Sequence, residues 1–299
     1  MGRFLSIFPP LVLALFLFLT LLVEAPLIAF PSWAGEAYQG INIAHFGNDE
    51  HHYLSRGKEV LEGNSLGQMY LKDWKDEQDP FFSDIEHIAL FPFALSPFAD
   101  DINIVTLYNI LNGIGVFVLL LLVYYFALQL SKQKLLAAAT ATFLVSGYVL
   151  IENGTILLHL MRGGHLFYDN FNIFGRSAFP YMALVPFFLM LIFTHRALTE
   201  KFEWPLQGNV RSYTNVLLAG AFLGLLFYTY FYAWTFALAL LGSLFVGAVI
   251  FRRWSLLVPL VFIGVVGTLL GSWKLWTYYT FFSSPLGDQI SYYFLTEHS

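Results

Sequence analysis

Two adjacent carboxylates, Asp49 and Glu50, open the segment Asn48-Asp49-Glu50-His51-His52-Tyr53-Leu54-Ser55-Arg56-Gly57-Lys58-Glu59-Val60-Leu61-Glu62-Gly63, just beyond the first long apolar run of the chain. Paired carboxyl groups at a membrane surface suit acid/base chemistry on a lipid-borne substrate, because a second carboxylate or a nearby cation tunes the proton affinity of the first. Asp49 also stands where a helix N-cap belongs, so its spacing leaves two readings open, a capping carboxylate and a catalytic one. Tyr53, Leu54, Gly57, Val60 and Leu61 recur on one face of the helix that would follow, His52, Arg56, Glu59 and Glu62 face elsewhere, and Gly63 closes it. The expectation is an amphipathic helix over 49–62, lying on a membrane.

A second cluster follows in Glu152-Asn153-Gly154-Thr155, in Met161-Arg162-Gly163-Gly164-His165-Leu166-Phe167-Tyr168-Asp169-Asn170 and in Gly175-Arg176-Ser177. A guanidinium fork binds phosphate in two places and keeps its charge, so Arg176 and Arg162 are candidate phosphate partners, with interfacial anchoring as the alternative for each. His165 and Tyr53 are further candidates for substrate contact. Oxygen ligands from Asp49 with Glu152 or Asp169 suit a divalent cation such as Mg or Mn. His51, His52, His159 and His165 lack a fixed ligand spacing, since neighbouring residues on a helix point about 100° apart, and a histidine-held metal is disfavoured.

The elements that must position these groups are membrane helices. Of 299 residues, 58% are hydrophobic and only 12% charged, with a mean hydropathy of +0.64; a soluble surface needs roughly a quarter of its residues charged. The chain reads as an all-α polytopic membrane protein, a single domain over 1–299. With no cysteine, thiolate nucleophiles, disulfides and Cys-type zinc sites are excluded. About seven spans are expected, over 4–23, 102–130, 135–151, 178–198, 213–232, 233–251 and 255–273, the first retained rather than cleaved as a signal peptide. No residue between Arg211 and Arg252 is charged, a stretch about twice the thickness of a bilayer as one helix, so it must turn back near the aromatic cluster from Phe227 to Trp234.

Arg3, Lys132, Lys134, Arg196, Lys201, Arg211, Arg252 and Arg253 all fall on one side of these spans, which should be cytoplasmic. Of the 20 Asp and Glu residues, only Glu200 and Glu203 join them, so the carboxylates face the exterior. Two external loops are large enough for a site, a long one over 24–101 and another over 152–177. Within the first, 85–98 is apolar but interrupted by His87, Pro92 and Pro97, and is expected to be interfacial or re-entrant.

Asp49-Glu50, Tyr53, Glu59, Leu61 and Gly63 resemble the Asp-Glu-x-x-Tyr…Glu-x-Leu-x-x-Gly pattern in the first external loop of GT-C glycosyltransferases, the branch of lipid A aminoarabinose transferase and the protein O-mannosyltransferases, with one residue rather than two between Leu61 and Gly63. The resemblance implies a GT-C-like fold. It also implies transfer of a sugar from a polyprenyl-phosphate-linked donor to an acceptor lipid, glycan or protein at the external face of the plasma (inner) membrane, with no nucleic-acid partner. Asp49 would then deprotonate the acceptor hydroxyl or hold a metal or an acceptor group, Glu50 would support it, and Glu152 and Asp169 would stand for the family's second acidic motif. The family usually carries eleven or more spans, so by the same resemblance the chain would correspond to an N-terminal portion of such a protein.

The chain departs from that pattern at Asp79-Pro80-Phe81-Phe82-Ser83-Asp84, where aminoarabinose transferases carry Lys-Pro-Pro, and it has no Trp-Trp-Asp-Tyr-Gly motif. The rival class is a transporter or flippase of lipid-linked or polar solutes. Transporters usually place ionisable groups at mid-membrane, whereas the expected span interiors here are free of charge.

Overall fold

The computed structural model describes residues 2–35, 50–64, 84–151, 180–200, 210–229, 231–284 and 287. Among them the secondary structure is helical, with no strand. The helices are α1 (Gly2–Ile7), α2 (Pro10–Ala34), α3 (Glu50–Leu61), α4 (Ile85–Ala94), α5 (Ile104–Ser131), α6 (Lys134–Ile151), α7 (Pro180–Thr199), α8 (Val210–Leu226), α9 (Phe231–Ile250) and α10 (Leu257–Phe282).

Local chemistry sets most of these ends. Pro9 and Pro10 separate α1 from α2, and Pro10 takes the first helical position, where its missing N–H costs nothing. The side chain of Asn103 accepts from the Thr106 N–H at 3.1 Å and starts α5. Lys132 closes α5 in the left-handed region at φ 59°, its N–H donating to the Leu128 carbonyl, and its charge complements the helix C-terminus.

α5, α6 and α7 lie within two residues of the expected spans at both ends. Three other spans need correction. α2 runs through Glu24 to Ala34, so the segment expected to be loop from residue 24 begins as helix. α8 stops at Leu226, six residues before the expected 232, because the N–H groups of Phe227, Tyr228 and Thr229 bond three residues back in a tightening turn. α10 continues to Phe282, nine residues past 273, carrying Lys274 inside the helix. The turn expected between Phe227 and Trp234 is present, since α9 begins at Phe231.

Among the described residues four helical stretches are long and apolar enough to cross a membrane: Ile104–Ser131, Tyr181–Thr199, Phe231–Ile250 and Trp254–Phe282. Pro10–Glu24, Lys134–Gly147 and Tyr213–Leu226 are shorter apolar stretches. Large side chains such as Leu135, Phe143, Phe236, Ile250 and Trp276 are exposed along these helices. In water so much contiguous apolar surface would drive aggregation, whereas hydrocarbon is a fitting solvent for it. This is an all-helical membrane protein.

The chain divides into two compact units, Met1–Ser65 with Glu86–Phe188, and Leu66–Ile85 with Leu189–Ser299. The first is built on α2, α5 and α6. Tyr124 is fully buried there; its ring meets Phe16 edge to face at 5.7 Å and its hydroxyl donates to the Ile7 carbonyl at 2.9 Å. Ala137 and Ala141, both fully buried, leave room for the larger side chains of this core.

The second unit is built on α8 and α10, which pack in parallel through a pair of Gly-x-x-x-Gly motifs. A Cβ at Gly220 would lie 2.6 Å from that of Val266 and 3.2 Å from the Ile263 carbonyl oxygen; one at Gly224 would lie 2.6 Å from that of Leu270 and 3.2 Å from the Gly267 carbonyl oxygen. Gly267 faces Leu223 and Gly271 faces Phe227 in the same way. Small residues let the two backbones meet where hydrocarbon supplies no hydrophobic drive to join helices.

Candidate functional site

The helix that begins at Glu50, α3, docks in the first unit. Tyr53, Leu54, Gly57, Val60 and Leu61 are all buried, so the stripe read from the sequence is the face that packs. Its cover is α5: the Tyr108 hydroxyl donates to the Tyr53 carbonyl at 2.9 Å, and a Cβ on Gly57 would lie 2.6 Å from that hydroxyl oxygen and 3.0 Å from Ile104 Cδ1. Glycine is needed at 57 for this close approach. Gly63 ends the helix at φ +76°, a conformation that suits a residue without a Cβ.

Arg56 overturns one expectation. Instead of facing away with Glu59 and Glu62, it is only 6% exposed, and its Nε lies 3.4 Å from Oε1 of Glu86, which is fully buried near the start of α4. An arginine stem can cover apolar surface while its head reaches an acid, and the partner comes from 30 residues away, so a helical wheel drawn on 49–62 alone places Arg56 on the wrong side. Lys58 and Glu62, by contrast, form an exposed pair one turn apart, of a kind that contributes about 0.3–0.5 kcal/mol. Asn64 Nδ2 donates to Glu59 Oε2 at 2.8 Å beside the helix end.

α4 realises part of the stretch 85–98 as a ten-residue helix with Pro92 inside it. Ile88, Phe91, Leu95 and Phe98 are exposed along this segment, while Glu86 and Leu90 are buried. Such a face suits a membrane interface.

The polar groups of this unit form a chain of neighbours. Tyr108 lies within electrostatic reach of Glu86, Arg56 and Tyr53, and Tyr181 within reach of Tyr108 and Glu24. At its far end Glu24, 4% exposed, accepts from Asn112 Nδ2 at 2.8 Å. Tyr181 packs its ring against Gly115, where a Cβ would clash with it, and Glu24 lies beside Gly113, so Gly115 of Asn112-Gly113-Ile114-Gly115 makes room for the tyrosine.

In the second unit Lys274 is fully buried within α10, and its Nζ lies 2.9 Å from Asp84 Oδ2 and 5.8 Å from the centre of the Tyr278 ring. The Asp84 N–H donates to the Tyr228 carbonyl at 3.0 Å, and the Tyr228 hydroxyl to the Leu270 carbonyl at 3.1 Å. The helix ends are therefore tied to the segment that brings Asp84.

Of the residues singled out in the sequence, Tyr53 takes part in this arrangement through its carbonyl, and the backbone of Glu50 is the first residue of α3. Asp49, Glu152, Arg162, His165, Asp169 and Arg176 lie outside the described residues. Among the described residues no three His, Asp or Glu side chains gather as metal ligands. Glu24, Glu86, Asn112, Tyr181 and Lys274 were not anticipated. The available signal was their position: a lone Glu followed by apolar sequence, an Asn between apolar turns, a lone Lys between Trp273 and Leu275. No family model matches the chain, and neither a curated protein nor a solved structure matches it.

Proposed function

We propose that the chain is an integral-membrane glycosyltransferase of the GT-C type, moving a sugar from a polyprenyl-phosphate-linked donor to a lipid, glycan or protein acceptor at the non-cytoplasmic face. One observation carries the reading: Glu50, the second acid of the pair, begins a helix whose apolar stripe is buried and whose Tyr53 and Gly57 meet α5, so the helix that follows Asp49 is a held scaffold rather than a free loop. The seven apolar stretches would be seven spans, with the N-terminus in the cytoplasm and the basic connections beside it.

In this reaction an acceptor hydroxyl displaces phosphate at the anomeric carbon. Asp49 would take the hydroxyl proton, Glu50 would tune its charge, and Arg176 or Arg162 would meet the departing phosphate. His165 and Tyr53 would contact the sugar or acceptor. If a divalent cation is used, Asp49 with Glu152 or Asp169 offers the oxygen ligands it prefers, and its contribution would be charge neutralisation at the phosphate.

The test is sugar transfer by purified protein in vesicles, wild type against Asp49→Asn, with thermal unfolding measured alongside. Asn caps a helix about as well as Asp, so stability should hold while turnover falls by a factor of about 10² or more. Near-normal transfer by a folded Asp49→Asn protein returns Asp49 to capping.

A second reading has its own support. The expected absence of charge within the spans does not hold for the helices themselves, because Glu24 in α2 and Lys274 in α10 are buried ionisable groups inside apolar helices. That pattern suits a transporter or flippase. Movement of a lipid-linked sugar across vesicles by wild type, with no transfer to any acceptor over a panel of donors, selects it.

A further inference from the structure

We infer that Glu24 and Asn112 form a proton-binding site between α2 and α5, in which a neutral Glu24 carboxyl donates its proton to Asn112 Oδ1 while Asn112 Nδ2 donates back to the carboxyl. The inference is independent of the sugar-transfer reading.

Each group supplies what the other lacks. Glu24 is 4% exposed and is the only residue of charged type in α2, and among the described residues no basic side chain pairs with it. An ionised carboxylate there would be a buried charge without a counter-charge, among the costliest groups a protein can enclose. Asn112, 3% exposed, donates its Nδ2 to Glu24 Oε1 at 2.8 Å, but its Oδ1 is buried without a hydrogen-bond partner among the described residues. The carboxylate therefore has one charge too many, and the amide has one acceptor without a hydrogen. A proton on the second carboxyl oxygen removes both defects. A protonated carboxyl and a primary amide each present one donor beside one acceptor, so two planar groups close a ring of two hydrogen bonds with no buried atom left over. Asn112 lightens part of the burial of Glu24, and the proton removes the rest.

The surroundings leave the proton as the species that neutralises Glu24. From α7 the Tyr181 phenol lies within electrostatic reach of it, and α5 sets Gly113 beside its stem. Along α6, the third helix of this core, there is no carboxylate or histidine, and Lys134 is exposed at its first residue. Release of the proton would leave carboxylate oxygen and Oδ1 as two acceptors with no hydrogen between them, so one of the two bonds that clasp α2 to α5 exists only while the proton is held.

The experiment compares infrared spectra of the full chain in detergent at pH 7, wild type against Glu24→Gln, with thermal unfolding alongside to show that both are folded. Exposed glutamates, with an ordinary value of about 4.3, are ionised at that pH, and other carboxyls cancel in the subtraction. The difference should contain the carbonyl band of a protonated carboxylic acid, equal to one carboxyl per chain and shifted in D2O. Asn112→Leu removes the acceptor, so the same band should move to higher frequency or vanish. Absence of the wild-type band, or a band that Asn112→Leu leaves unmoved, overturns the site. Should Glu24→Gln fail to fold, Glu24→Met, which suits an apolar helix, replaces it in the same subtraction with the same two outcomes.

Discussion

The two units join their apolar helices by opposite means. In the first, side chains of high chemical content are buried between helices: Glu24 with Asn112, Arg56 with Glu86, and Tyr108 against the backbone of α3. In the second, α8 and α10 meet through glycine and nearby carbonyls, with Lys274 and Asp84 as a buried ion pair. Backbone contact makes a stiff frame and leaves little to do chemistry with. Buried polar side chains cost desolvation but specify where a helix sits and hold groups that can bind or react. The comparison thus assigns positioning of the candidate site to the first unit and rigidity to the second.

Its most severe test lies in the ion pair. Asp84→Ala leaves the Lys274 ammonium buried without its anion and should lower unfolding stability by about 3 kcal/mol, the lower end of the usual range because Asp84 is partly exposed. Adding Lys274→Met should restore most of the loss, as read by thermal unfolding in detergent. A double variant as unstable as Asp84→Ala would mean that the charge pair is not what the second unit depends on.

Glycine packing comes next. Gly224→Val puts a Cβ 2.6 Å from that of Leu270 and 3.2 Å from a carbonyl oxygen that cannot swing aside, and should cost about 1–3 kcal/mol. Gly242→Ala in α9 meets nothing within 4 Å and should instead gain up to about 1 kcal/mol from helix propensity. Equal behaviour of the two variants, both in the second unit, would show that the close glycine contact of α8 with α10 is not what that unit depends on.

The smallest effect sharpens the first unit's side of the contrast. Tyr108→Phe loses the bond to the Tyr53 carbonyl, worth about 1 kcal/mol, with no change of shape. Hydrogen exchange should quicken in α3 and stay unchanged in α8. Uniform quickening would show that Tyr108 supports the unit as a whole rather than α3 in particular.

Much of this was legible in the chain itself. Runs of apolar residues bounded by Lys132, Lys134 and Arg196 located α5, α6 and α7, because hydropathy and helix length are properties of consecutive residues. The stripe of Tyr53, Leu54, Gly57, Val60 and Leu61 named the buried face of α3, since helical period is also local. A glycine at 63 announced the end of that helix, and φ +76° is the conformation that only its missing side chain makes inexpensive.

What the tertiary structure alone decided concerns every charged group that the helices enclose. A hydropathy profile stops a span at its first charge, and so it set Glu24 and Lys274 outside helices that in fact continue ten residues beyond the one and eight beyond the other. A buried charge is tolerated only where a partner removes part of its desolvation cost, and the partners here stand 88 residues away for Glu24, 30 for Arg56 and 190 for Lys274. The facing of Gly220 and Gly224 with Gly267 and Gly271 is of the same kind: each motif is visible in sequence, but which surface it meets is a property of two helices brought together in space. Local pattern therefore determined where the helices are, and long-range pairing determined which of their polar residues are buried.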